Sequence, residues 1–317
     1  MKHTIKATIV LLILFVLTQI IGVGVLAQYI DIEKSAETGE TVLYYEEYET
    51  TYITPPEVEN ESLSFFYIII PVAVGTIFLL LIIKYAKKRL WKAWFFLAVL
   101  IMLIAAFSPF VRKIFGDYGI YVTVFMALIL TYYKVLKKNI FIHNFTELFI
   151  YGGLAALFVP ILNIISITVV FLLFAVYDAY AVWKSKHMIK MAEFQKSEKL
   201  FAGLYFPYAH GDNKNTSEKS KEKNKTLITK GRLKAEKAEY APREAILGGG
   251  DCALPLLFLG VVMKMTGSIY LPFIIIATSS ISLAALFLLG EKNKYYPAIP
   301  FLAVGCYIGL GIIMLIS

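Results

Sequence analysis

Two aspartates, Asp178 and Asp251, stand inside otherwise apolar runs of this chain. A carboxyl group in a hydrocarbon-length segment costs a few kcal/mol or more and is read first as functional. Asp251 follows Leu247-Gly248-Gly249-Gly250, three glycines whose missing side chains let another backbone approach closely. Asp178 lies in Phe174-Ala175-Val176-Tyr177-Asp178-Ala179-Tyr180. Two carboxyl groups held a few ångströms apart do not both ionise easily; the pair holds one proton and titrates as a unit. Such a pair can take a proton from water with one member and protonate a developing oxyanion with the other, the acid–base route to amide hydrolysis. The same two acids could instead line an ion path. On the residues alone, proteolysis and ion transport both stay open.

Metal and redox chemistry find no pattern. His3, His143, His187 and His210 have no ligand spacing, so no metal site and no cofactor are expected. Cys252 and Cys306 both lie in apolar runs and read as small buried hydrophobes rather than a disulfide framework.

The elements that must position the two acids are membrane spans. Hydrophobic residues make up 58% of the 317 and charged residues only 17%, with a mean hydropathy of +0.68. That is the composition of an all-α multi-pass membrane protein. The net charge of +8 comes largely from basic loops, an orientation signal rather than a nucleic-acid surface. Apolar runs cover residues 7–27, 63–83, 93–111, a segment ending near 133, one starting near 145, then 161–183, 247–265, 269–289 and 296 to the end. About nine spans follow, at ~20 residues each. The first run is longer than the apolar stretch of a signal peptide, so it reads as a retained span despite Val25-Leu26-Ala27. The loop over 31–62 is acidic and tyrosine-rich, carries the sequon Asn60-Glu61-Ser62, and reads as outside. Lys84, Lys87, Lys88, Arg89 and Lys92, then Lys134, Lys137 and Lys138, mark the inside. The chain is therefore expected in the cell membrane with its N-terminus cytoplasmic and its C-terminus outside. Asn144 and Glu147 are spaced as a helix cap at the start of span five. Gly305 and Gly309, four apart, suit close helix packing.

The chain divides into a five-span scaffold over 1–160, span six over 161–183, a polar loop over 184–243 and a three-span part over 244–317. The loop begins with apolar residues at helical spacing (Met188, Met191, Phe194, Leu200, Phe201, Leu204), which suggests an amphipathic surface helix. Residues 211–239 have the composition of a disordered, solvated linker, with a basic excess that places it inside. Asp178 lies six residues before Lys184, about 9 Å from the inner boundary at 1.5 Å per helical residue. Asp251 lies eight residues after Arg243, on a span rising from the same side, so both acids are expected at similar depth.

At these residues the chain resembles the presenilin and signal peptide peptidase family of intramembrane aspartyl proteases, in particular a presenilin-like prokaryotic or archaeal homologue. The family's Tyr-Asp motif is matched by Tyr177-Asp178, its Gly-x-Gly-Asp motif by Gly248-Gly249-Gly250-Asp251, and its Pro-Ala-Leu motif by Pro297-Ala298-Ile299, where isoleucine replaces leucine. The three motifs fall in order on spans six, seven and nine. The first five spans match only in hydropathy. The resemblance implies that Asp178 and Asp251 are the catalytic pair and that Tyr177, the three glycines and Pro297, Ala298 and Ile299 shape the site. The segment containing Arg243, Ile246 and Leu247 is then expected to be an edge that pairs with an unfolded stretch of substrate, since a helical substrate hides its amides. The resemblance further implies transmembrane helical protein substrates with their N-termini outside, a lipid environment, no nucleic acid and no obligatory subunit. Prepilin-type peptidases share Gly-x-Gly-Asp but lack the third motif and the six-span lead.

Overall fold

The computed structural model describes residues 5–44, 55, 58, 63–85, 88–184, 202–208, 243–290 and 296–316. Asn60 of the sequon, Met188, Met191, Phe194, Leu200, Phe201 and the linker over 211–239 lie outside them. Among the described residues the fold is all-α except for one strand pair. The apolar helices are α1 (Ile5–Leu26), α3 (Phe66–Lys84), α4 (Lys88–Phe115), α5 (Gly119–Tyr132), α6 (Ile140–Phe158), α7 (Ile164–Trp183), α8 (Gly249–Thr266), α9 (Phe273–Leu289) and α10 (Ile299–Ile316). A short helix, α2 (Ile32–Thr38), stands in the acidic loop, capped by Asp31 accepting from the Lys34 amide and by Gly39 at φ 73°. Strands β1 (Gly203–Tyr208) and β2 (Arg243–Gly248) pair antiparallel.

Among the described residues, six helical runs are long and apolar enough to cross a membrane: Ile5–Leu26, Arg89–Lys137, Ile140–Ile161, Ile164–Val182, Gly249–Thr266 and Ile299–Ile316. The second is 49 residues long and holds both α4 and α5, which pack on each other. Phe66–Ile82 and Phe273–Leu289 are apolar but shorter.

Several expectations change in detail. Leu204 does not continue an amphipathic helix; it sits in β1, fully buried, opposite Leu247. Leu247 and Gly248 belong to β2, so the seventh apolar helix starts only at Gly249. Span five starts five residues earlier than Phe145, because Asn139 caps it and accepts from the amides of Phe141 and Ile142. Glu147 is therefore no cap. It lies about two turns into α6 and is 1% exposed.

The core is continuous through α1, α6 to α10 and the strand pair, and a second apolar cluster joins α3, α4 and α5. In lipid the hydrophobic effect does not drive helices together, so contact quality decides. α9 and α10 are the most extensively packed pair, and small residues are the reason. A Cβ on Gly305 would lie 2.7 Å from the Ser279 Cα and 2.8 Å from the Thr278 carbonyl oxygen. Gly309 faces the Ile275 Cα in the same way, at 2.9 Å. Gly311, two residues on, faces open space.

This contrast is testable on one helix. Alanine normally favours a helix over glycine by about 0.8–1 kcal/mol, so Gly311→Ala should hold or raise the thermal midpoint in detergent. Gly305→Ala should lower it, because overpacking against backbone costs about 1–3 kcal/mol and outweighs the propensity gain.

Candidate active site

The three motif-bearing helices meet. α7 packs on α8, and α10 packs on both. One ring from each locks the junction. Phe171 and Phe258 stand edge-to-face at 5.6 Å, Phe258 and Tyr307 at 5.2 Å, and Phe171 and Tyr307 at 6.5 Å. Such geometries align the positive ring edge with the negative face.

Asp178 lies five residues before the end of α7 and is 8% exposed. Its Oδ2 accepts the backbone N–H of Ile299 at 3.2 Å. The Pro297-Ala298-Ile299 segment thus touches the first acid through its main chain. Ile299 is buried, and its β-branched side chain is accommodated without displacing that amide. Asp251 lies in the first turn of α8, and its Oδ2 accepts the Gly248 N–H at 3.2 Å. An acid here also faces the partial positive charge of the helix start. Cys252, next to it, is held by Gln19 of α1, whose Nε2 donates to the Cys252 carbonyl at 3.0 Å. Tyr177 remains 40% exposed beside Asp178. A cavity of about 470 Å³ lined by Asp31, Tyr44, Gly267 and Tyr270 lies at the opposite end of α8 and includes none of these residues.

β2 runs directly into α8. A family model described as signal-peptide peptidase, presenilin aspartyl protease matches residues 41–317. The chain belongs to this family. It is a multi-pass intramembrane aspartyl protease. Two crystal structures of a presenilin family intramembrane aspartate protease share the fold. The one in space group P2 superposes with a TM-score of 0.62 at 16% identity, covering 97% of each chain. The one in C222 gives 0.56 at 17% identity, covering 96% of this chain and 99% of that one. No curated protein matches.

In this presenilin-family protease the strand pair has two unequal edges. Ala202 accepts the Gly249 N–H at 3.1 Å, and the register pairs Leu204 with Leu247 and Phe206 with Ala245. Gly203 and Tyr205 point their backbone groups the other way, into α6. The Gly203 N–H donates to Glu147 Oε2 at 3.1 Å, and His143 Nε2 stands 2.8 Å from the Gly203 carbonyl. Asn144 brackets Tyr205, accepting its N–H at 2.9 Å and donating to its carbonyl at 2.7 Å. Pro207 falls on this same outer side, where its missing N–H costs no ladder bond. By the two-residue period of an antiparallel pair, Glu244 and Ile246 turn their N–H and C=O away from β1, on the opposite edge. Ile246 is 40% exposed there, while Leu247 points its side chain into the core. Arg243 pairs with Tyr208 at the far end of the ladder.

The sequence reading missed the residues that grip β1. Lys134 is not a loop charge marking one side; its side chain is buried, 2.6 Å from Glu147 Oε1. It also reaches His143 Nδ1 at 3.3 Å and the His143 carbonyl at 3.4 Å. The Tyr151 hydroxyl donates to Glu147 Oε2. Spacing gave one usable signal: His143, Glu147 and Tyr151 recur every four residues, on one face of a helix.

Proposed function

We propose that Asp178 and Asp251 are the catalytic pair of this protease. The observation that carries the reading is the Ile299 amide bonded to Asp178, which joins the first and third motifs while α8 brings the second alongside. The ionised carboxylate takes a proton from water as that water attacks the scissile carbonyl. The protonated partner donates to the oxyanion. Collapse of the tetrahedral intermediate transfers a proton to the leaving amine, so one water is consumed and a carboxylic acid and an amine result. Tyr177, Gly249, Gly250 and Ala298 line the approach, with Pro297 and Ile299 fixing the amide that holds Asp178.

The substrate is a transmembrane helix that unwinds and adds as a strand to the exposed edge of β2. The other edge of the pair is occupied by side chains of α6, so addition is confined to the groups of Glu244 and Ile246. All nine apolar helices cross the bilayer, with the N-terminus cytoplasmic, the C-terminus outside and the linker between β1 and β2 cytoplasmic. Support comes from the lysines at 84, 87, 88, 137 and 138 and the basic linker, against the acidic 31–62 loop. The enzyme acts in the cell membrane without an obligatory subunit, on helices whose N-termini are outside.

Three expectations follow. Asp178→Asn and Asp251→Asn should each abolish cleavage of a labelled transmembrane peptide by purified enzyme; substantial activity in either removes this assignment, since an ion path would tolerate the isosteric amide better. Replacing substrate amides by esters one at a time removes single N–H donors. Rate loss should alternate with a period of two residues on the inner side of the cut, at about two- to tenfold per sensitive position, and a flat profile would exclude strand addition. Reporters carrying one helix sequence in both orientations, with insertion verified, should be cut when the N-terminus is outside; equal cleavage would overturn the orientation.

A further inference from the structure

The most elaborate polar cluster among the described residues lies outside the motifs. All three donors of the buried Lys134 ammonium have partners: Glu147 Oε1, His143 Nδ1 and the His143 carbonyl. Glu147 accepts on both oxygens, from Lys134 on one side and from Tyr151 and the Gly203 N–H on the other. Because the Gly203 carbonyl can only accept, His143 must carry its proton on Nε2, which leaves Nδ1 to accept from Lys134. Lys134 is aimed inward by a turn of π-helix, Tyr133–Lys137, that closes α5 with Lys138 in the left-handed region at φ 56°. Irregular turns of this kind are seldom kept without a use.

The network has two outlets, and both lead to Asp251. One is β1. Side chains of α6 replace a third strand along its outer edge, β1 holds β2 in register, and Ala202 holds the Gly249 amide. Gly203, at φ +147°, admits no side chain here; a Cβ would meet the Leu247 carbonyl oxygen at 2.4 Å. The other outlet is Tyr151, whose hydroxyl would lie 3.1 Å from a Cβ on Gly249, two residues before Asp251. A buried ion pair adds little stability relative to apolar packing, so stability alone is a weak reason for this arrangement.

We propose that Lys134, His143, Asn144, Glu147 and Tyr151 are positioning residues that set the place of Asp251 through β1 and Gly249. This rests on the assignment of Asp251 as catalytic. The network is thus a part of the catalytic apparatus contributed by α5 and α6, helices that carry none of the three motifs.

The test uses full-length enzyme in detergent. Asn144→Leu keeps the branching and heavy-atom count of the side chain and removes both bonds to Tyr205. It should lower kcat on the order of tenfold, with KM for a transmembrane peptide within about twofold, and weaken a hydroxyl-bearing transition-state mimic in parallel with kcat. The thermal midpoint reports whether the fold is intact. Wild-type kcat and mimic affinity would overturn the proposal. Should Asn144→Leu fail to fold, Lys134→Met alone and Lys134→Met with Glu147→Gln decide. The single variant leaves Glu147 buried without its cation and should lose activity. The double variant removes both charges and keeps an amide oxygen for the Gly203 N–H, so it should recover. An active single variant, or a folded double variant that stays as inactive as the single, would overturn the proposal. Asp251→Asn is run alongside. If it cleaves, the catalytic assignment fails; if it is dead while Asn144→Leu is fully active, only the positioning role fails.

Discussion

Backbone polar groups in this molecule have little water to turn to, and that constraint shapes the region around Asp251. A helix satisfies its own amides, and the nine apolar helices among the described residues do so here. A strand pair cannot, because each strand leaves one edge open. β1 and β2 lie against a packed core, with Gly203, Leu204, Ala245 and Leu247 buried. The outer edge of β1 therefore needs donors and acceptors from elsewhere. Asn144, His143 and Glu147 supply them, and Lys134 and Tyr151 satisfy the carboxylate this brings into the interior.

The asymmetry that results bears on the proposed strand addition. If both edges of a two-stranded sheet were open, a substrate segment could add on either side and in several registers. With one edge filled by side chains, the other is defined by elimination, and it is the edge of the strand that runs into the helix bearing Asp251. If the substrate adds as proposed, its position and that of Asp251 are set by one backbone. Asp178 is held by a different device. Its partner is the Ile299 amide at the start of α10, while rings from α7, α8 and α10 fix the helices against one another. Each acid thus accepts a main-chain N–H, Asp178 from Ile299 and Asp251 from Gly248.

The packing has the character expected of helices in lipid. Small residues allow close approach where α9 meets α10, and Gln19 of α1 reaches across to the first turn of α8. α1 packs on α6, α8 and α9 and touches both strands. The first span is a central element of the packing.

The sequence by itself determined the all-α multi-pass fold class and showed that Asp178 and Asp251 lie within apolar runs. Apolar runs of membrane length report helices directly, and an acid inside such a run is too costly to be incidental. It also placed Gly305 and Gly309 at a helix contact, because residues four apart share a helix face. It did not determine that 203–208 is a strand, that Glu147 is a buried ion-pair partner rather than a cap, or that Lys134 points inward rather than marking a membrane side. Those facts depend on contacts between residues far apart in the chain. Glu147 meets Gly203 across 56 positions and Asp178 meets Ile299 across 121. Local periodicity reports which face of an element is apolar. Only the folded chain decides which polar group lies opposite it, and in a water-poor interior that partner sets what a charged residue does.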